Sequence, residues 1–160
     1  MSDSIQPKAD STQPTTAGAR TLPDVGDTEA LGRELATQLQ AGDLVILDGP
    51  LGAGKTAMTR GIADGLGVVG RVSSPTFIIA REHRAAAPGR PGMIHVDAYR
   101  LGGLDELDAL DLDTDLADSV VVVEWGEGVA EHLAERHLRV RLTRAPESEV
   151  RSAEWEWVER

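Results

Sequence analysis

The chain's 160 residues suffice for one domain with a real core and are too few for two comfortable ones. It has no cysteine, which excludes disulfides, thiolate metal sites and thiol catalysis. A net charge of −11 argues against a nucleic-acid backbone as the main ligand, because such binders cluster Lys and Arg. No apolar run approaches the ~20 residues of a membrane span, and the N-terminus lacks the charged-then-apolar layout of a signal peptide. The expectation is a cytoplasmic protein with no membrane partner.

Residues 1–22, "MSDSIQPKADSTQPTTAGARTL", are rich in Ser, Thr, Pro, Gln and Ala and poor in large apolar groups. That composition predicts a disordered tail, leaving 23–160 as a single domain. Asp27 or Thr28 then offers an N-cap for a helix carrying Leu31, Leu35 and Leu39 on one face, ended by Gly42. "LVIL", Leu44 to Leu47, is a short continuous apolar run, as in a strand buried on both faces. Met58, Ile62 and Leu66 mark the inner face of a second helix stopped by Gly67.

"TFIIA" (Thr76 to Ala80) and "MIHV" (Met93 to Val96) predict strands on either side of a mobile loop, "AAAPGRPG". Between Leu104 and Asp118, "LDELDALDLDTDLAD" has leucines at helical spacing and seven acids from Asp105 to Asp118. Its acids are either a solvated face or a docking surface for a basic partner. "VVVV", Val120 to Val123, predicts another buried strand, and a short helix is expected around Val129 to Arg136. "LRVRL" and "AEWEW" alternate with period two about a turn at Ala145-Pro146, predicting a terminal hairpin with one polar face. Buried strands alternating with helices argue for a three-layer α/β fold with a mixed, mostly parallel sheet and a C-terminal β-hairpin.

Gly49 to Thr56, "GPLGAGKT", matches the phosphate-binding pattern G-x-x-x-x-G-K-[ST], with an apolar strand before it and an amphipathic helix after. Glycines let the backbone curl so that successive N–H groups point at phosphate oxygens, and the helix adds its positive end. Lys55 supplies a compact ammonium for the β and γ oxygens, and Thr56 a hydroxyl for Mg²⁺. A mere glycine-rich turn would not need strand, loop, lysine, threonine and helix in register. The chain uses fourteen arginines and two lysines, and keeps lysine here because a broad planar guanidinium suits so cramped a nest badly. Lys55 is expected in an exposed loop, its ammonium reserved for a nucleoside triphosphate.

Such a site also wants an acid at the tip of a neighbouring buried strand. "MIHVD" ends at Asp97 and "VVVVE" at Glu124. Either could serve the metal or its waters, or simply cap its strand at the surface, and spacing alone does not choose. His95 shares a sheet face with Asp97 and reads best as a hydrogen-bonded core histidine.

"GPLGAGKT", "SSPTF" (Ser73 to Phe77), "HVDAYRL" (His95 to Leu101) and "EW" (Glu124-Trp125) follow in that order. Their order and spacing, over roughly residues 24 to 143, resemble the TsaE family of P-loop ATPases in bacterial tRNA threonylcarbamoyladenosine synthesis. The resemblance implies an ATP- and Mg²⁺-binding subunit that hydrolyses slowly and supports a partner transferase heterodimer. That heterodimer modifies adenosine 37 of tRNA, so tRNA is met only indirectly. The resemblance further implies that Gly52, Ala53, Gly54, Lys55 and Thr56 bind phosphates and that Thr56 and Glu124 serve Mg²⁺. Asp97 takes the Walker B place, and Ser74, Pro75 and Thr76 a switch-like segment near the γ-phosphate. Thr28 lies on the nucleotide side, and Trp125 is expected at the rim of the site. Pro50, Ala57 and His83 depart from the family pattern without removing a phosphate or metal ligand.

The main rival is a small-molecule kinase of shikimate or nucleotide kinase type. Those enzymes carry an arginine-bearing lid, whereas no Lys or Arg occurs between Arg100 and Arg136; Arg81, Arg84 and Arg90 could belong to a shorter one. A second rival is a nucleotide-dependent switch whose effector is a partner protein.

Overall fold

In the computed structural model the described residues are 17–50, 52–70, 80–97, 118–124 and 134–159. The two continuous apolar runs form β2 (Leu44–Asp48) and β5 (Ser119–Glu124), side by side and parallel at the centre of a seven-stranded sheet. The other strands are β1 (Ala17–Leu22), β3 (Ala80–His83), β4 (Gly92–Asp97), β6 (Arg136–Arg144) and β7 (Arg151–Glu159). Their spatial order is β1-β7-β6-β2-β5-β4-β3.

The expectation of a mostly parallel sheet needs correction. β6, β2, β5 and β4 run parallel, while β1–β7, β6–β7 and β3–β4 are antiparallel, so the pairings divide evenly. The physical reason is that β6 and β7 are joined by a short turn, which permits only antiparallel pairing, and both edges are closed by antiparallel strands. The consequence for function is that four strand C-termini converge on one edge, where open α/β sheets bind their ligands.

Among the described residues two helices lie on one face of this sheet. α1 (Val25–Ala36) begins at Asp24, not at Asp27 or Thr28. Asp24 accepts from the Asp27 backbone N–H at 3.2 Å, and the Asp27 carboxylate returns the bond at 3.1 Å, a capping box closed by Asp. The helix ends at Ala36, so Leu39 is buried beyond it and Gly42 (φ 97°) belongs to the turn entering β2. α2 (Lys55–Leu66) stops at Gly67 in the left-handed conformation, as its spacing predicts. The helices approach closely at Gly61, where an added Cβ would collide with the Glu29 carbonyl.

Leu31, Leu35, Met58, Ile62 and Leu66 pack with Val45, Leu47, Val120, Val122, Leu138 and Val140 into the core. The opposite side chains, Leu44, Ile46, Val121 and Val123, are buried too.

Composition predicts disorder through residue 22, yet Ala17–Leu22 pairs along β7 from Ala17↔Glu156 to Leu22↔Arg151. Backbone pairing, rather than apolar burial, orders these residues; only Leu22 is buried. Gly18 leaves room for the Trp155 ring, and Arg20 stacks over that ring at 5.7 Å while gripping Glu34 with two 2.9 Å bonds.

The hairpin forms as its alternation predicts, with Leu138, Val140, Leu142, Ala153 and Trp155 inward. Trp157 donates to Gln38 at 2.7 Å, tying it to the end of α1. Arg136, expected in a short helix, opens β6 instead. The loop before β4 is anchored by Arg90, which donates to the carbonyls of Gly65 and Leu66 at the end of α2. The acidic Leu104–Asp118 stretch falls almost wholly outside the described residues.

Candidate functional site

The chain leaves β2 at Asp48 and turns into α2 through three glycines in the left-handed half of backbone space, Gly49 (φ 149°), Gly52 (φ 81°) and Gly54 (φ 108°). A side chain at Gly49 would collide with the Leu142 carbonyl, so the loop is seated against β6. Gly54 is the N-cap of α2, and no side chain caps the helix; nor does its first turn carry an acid. Its leading N–H groups and positive end are thus left for an anion.

Lys55 departs from expectation. It is the first residue of α2, only 5% exposed, rather than part of an exposed loop. Its ammonium donates to the carbonyls of Gly49 at 2.6 Å and Pro50 at 3.0 Å. A buried cation needs such partners, and the loop's own carbonyls supply them. Burial draws the Lys55 pKa below the ordinary lysine value, while the charges of Glu124, Asp48 and Asp97 oppose that fall.

Those acids stand at the ends of three parallel strands. Asp97 and Glu124 are register partners on β4 and β5, 9% and 5% exposed. An acid that merely capped its strand at the surface would be solvated; these two face inward beside Lys55. His95, wholly buried, approaches Glu124 with Nε2 2.5 Å from Oε2. A carboxylate only accepts, so the imidazole N–H donates. Thr28 is buried at the start of α1, and a Cβ on Gly54 would lie 3.6 Å from its methyl group. Ala53 is buried beneath the loop and Thr56, in the first turn of α2, is half-buried. Thr76 and Trp125, with Ser74 and Pro75, lie outside the described residues.

Motif reasoning missed two features. Asp48 closes β2 immediately before the loop, and its place at a strand end was a usable signal. Arg151 donates from Nε to the Gly52 carbonyl at 2.8 Å across 99 residues, and no local pattern announces such a contact. Arg144 also reaches Gly52, with Nη1 3.1 Å from where its Cβ would be.

Among the described residues no three His, Asp or Glu side chains gather into a metal cluster. A Mg²⁺ ion here would instead rest on phosphate oxygens, water, one hydroxyl and one or two carboxylates, the donor set that Mg²⁺ favours. Thr56, Glu124 and Asp97 are the residues that would offer those donors.

The family model for the threonylcarbamoyl adenosine biosynthesis protein TsaE matches residues 22–153. The chain belongs to the TsaE family. The Mycobacterium tuberculosis tRNA threonylcarbamoyladenosine biosynthesis protein TsaE is 57% identical over 149 residues, covering 89% of each chain. The Streptomyces coelicolor protein of the same name is 63% identical over 116 residues, 72% of this chain and 78% of that one. The crystal structure of Bacillus subtilis YdiB superposes with a TM-score of 0.67 at 29% identity, over 87% of this chain and 84% of that one. Membership of the TsaE family gives the chain its role in tRNA threonylcarbamoyladenosine biosynthesis. Among the described residues no helix is long and apolar enough to cross a membrane.

Proposed function

We propose that this TsaE-family chain is the Mg²⁺-dependent, ATP-binding and slowly hydrolysing subunit that supports threonylcarbamoyl transfer to adenosine 37 of tRNA by a partner transferase heterodimer. The observation that carries the reading is Lys55 at the head of α2, held over the glycine loop and facing Glu124 and Asp97. A buried ammonium held by loop carbonyls within the field of Glu124 and Asp97 has a desolvation cost that a structural turn would not require.

The residues divide the work as follows. The backbone N–H groups from Gly52 to Thr56 hold the phosphates of ATP, and Lys55 exchanges the Gly49 and Pro50 carbonyls for β and γ oxygens. Thr56 and Glu124 would hold Mg²⁺, which would supply neutralisation of the phosphate charge. Asp97, at the neighbouring strand end, would orient an attacking water. Thr28 keeps the loop in place from α1, while Arg151 and Arg144 brace it from the hairpin. The sequence assigns Thr76 to the γ-phosphate side and Trp125 to the rim. The net negative charge leaves tRNA to the transferase.

The test is hydrolysis of γ-labelled ATP by the purified protein, alone and with the transferase heterodimer. The proposal expects label in inorganic phosphate, slowly at first and faster with the complex. Label appearing in a small organic acceptor would establish the kinase reading instead.

A further inference from the structure

Glu124 does not stand alone at the end of β5. His95 sits one strand away on β4, paired in register with Val122, so its ring reaches diagonally along the shared face toward the Glu124 carboxylate. The ring is wholly buried, and its Nε2 lies 2.5 Å from Oε2. Its other nitrogen, Nδ1, is buried with no hydrogen-bond partner among the described residues. An imidazole kept in a core with one nitrogen unpaired is poorer packing than leucine would be, because the unpaired polar atom still loses its water. Pure packing therefore does not explain His95. On the same face His95 is flanked by the apolar Met93 and Val122 and, two residues on, by Asp97; the one hydrogen bond its ring makes goes to Glu124.

We propose that His95 is a positioning residue for the metal-side carboxylate. By taking Oε2 of Glu124 it fixes the carboxylate's rotation and would leave Oε1 for a cation. Donors of this kind orient metal ligands and raise their affinity, and their loss typically costs about 10–100-fold. Asp97 shares the face of His95 two residues on, but it reaches the site from β4 itself and gains nothing from this bond. The inference rests on the Mg²⁺–ATP reading above and adds to it how the glutamate is held.

The experiment compares wild type with His95→Leu, His95→Gln and His95→Asn, measuring affinity for a non-hydrolysable ATP analogue by calorimetry across a Mg²⁺ titration and in EDTA. Gln places an amide N–H near the position of Nε2, Asn is too short to do so, and Leu has no donor. Half-saturation by Mg²⁺ should rise about tenfold or more in Leu and Asn and be largely restored in Gln, with EDTA affinities unchanged. In turnover, the same variants should lose kcat at saturating ATP and low Mg²⁺, recovering as Mg²⁺ is raised. If Leu does not fold, the Gln–Asn pair carries the test alone. Equal Mg²⁺ curves for Gln and Asn, or a folded Leu variant with the wild-type curve, would overturn the positioning role. Wild-type binding that ignores Mg²⁺ would instead overturn the functional reading on which it stands.

Discussion

His95, Asp97 and Glu124 are buried toward the ends of parallel strands, with Lys55 buried at the head of α2, whereas Arg139, Arg141, Glu154 and Glu156 stand partly or fully exposed on the polar face of the β6–β7 hairpin. On the hairpin, Arg139 pairs with Glu156 and Arg141 lies 3.7 Å from Asp48, the ordinary way a sheet face meets water. Such pairs contribute about 0–1 kcal/mol. At the strand ends the same kinds of side chain are withdrawn from solvent, where each must be matched or be costly. A fold has no need of that arrangement for stability, and buried charge gathered at strand ends is where chemistry is found.

The largest effect belongs to Lys55→Ala. Each charge-assisted bond to phosphate contributes about 1.5–3 kcal/mol, so losing two lowers ATP affinity by about a hundredfold or more. Hydrolysis should fall below detection while circular dichroism keeps the wild-type fold. Near-normal hydrolysis in this variant would remove the distinction between the two regions.

Next come the acids. Glu124→Ala should weaken Mg²⁺ half-saturation by more than the about 10–100-fold typical of an outer-shell partner. Asp97→Ala should reduce turnover more than ADP affinity, because it acts through water. Mg²⁺ titrations of both variants decide the matter. Wild-type curves for both would return these acids to a structural role.

Arg151→Ala is smaller and joins the regions. Freeing the Gly52 carbonyl removes about 1 kcal/mol of loop support, or about fivefold in ATP affinity, with little change in Mg²⁺ dependence. Unchanged affinity, measured by calorimetry, would show that the hairpin merely touches the loop.

Smallest is Glu156→Gln on the open face, expected to change unfolding free energy by less than about 1 kcal/mol and ATP binding not at all. Denaturant titration checks the first and calorimetry the second. A large loss here would mean that the hairpin's polar face is more than solvated surface.

How much of this was legible depended on whether the signal was local. The phosphate loop is one contiguous motif, and the acids at Asp97 and Glu124 follow uninterrupted apolar runs, so both could be read directly. The α2 stop at Gly67 and the hairpin alternation are equally local. β1 was missed because its order comes from backbone bonds to β7, which leave no mark in composition. Asp24 was passed over because its capping partner is Asp27 rather than the usual Glu or Gln. The His95–Glu124 bond requires knowing that β4 and β5 are parallel neighbours in a given register. Arg151 on Gly52 requires knowing where a hairpin 99 residues away ends.

The most direct test of the account is calorimetric titration of the wild-type protein with ATP, with and without Mg²⁺, before any partner is added. One site per chain, tightened by Mg²⁺ and abolished in Lys55→Ala, is the predicted result. Heats indistinguishable from dilution, or binding that persists unchanged in Lys55→Ala, would contradict it.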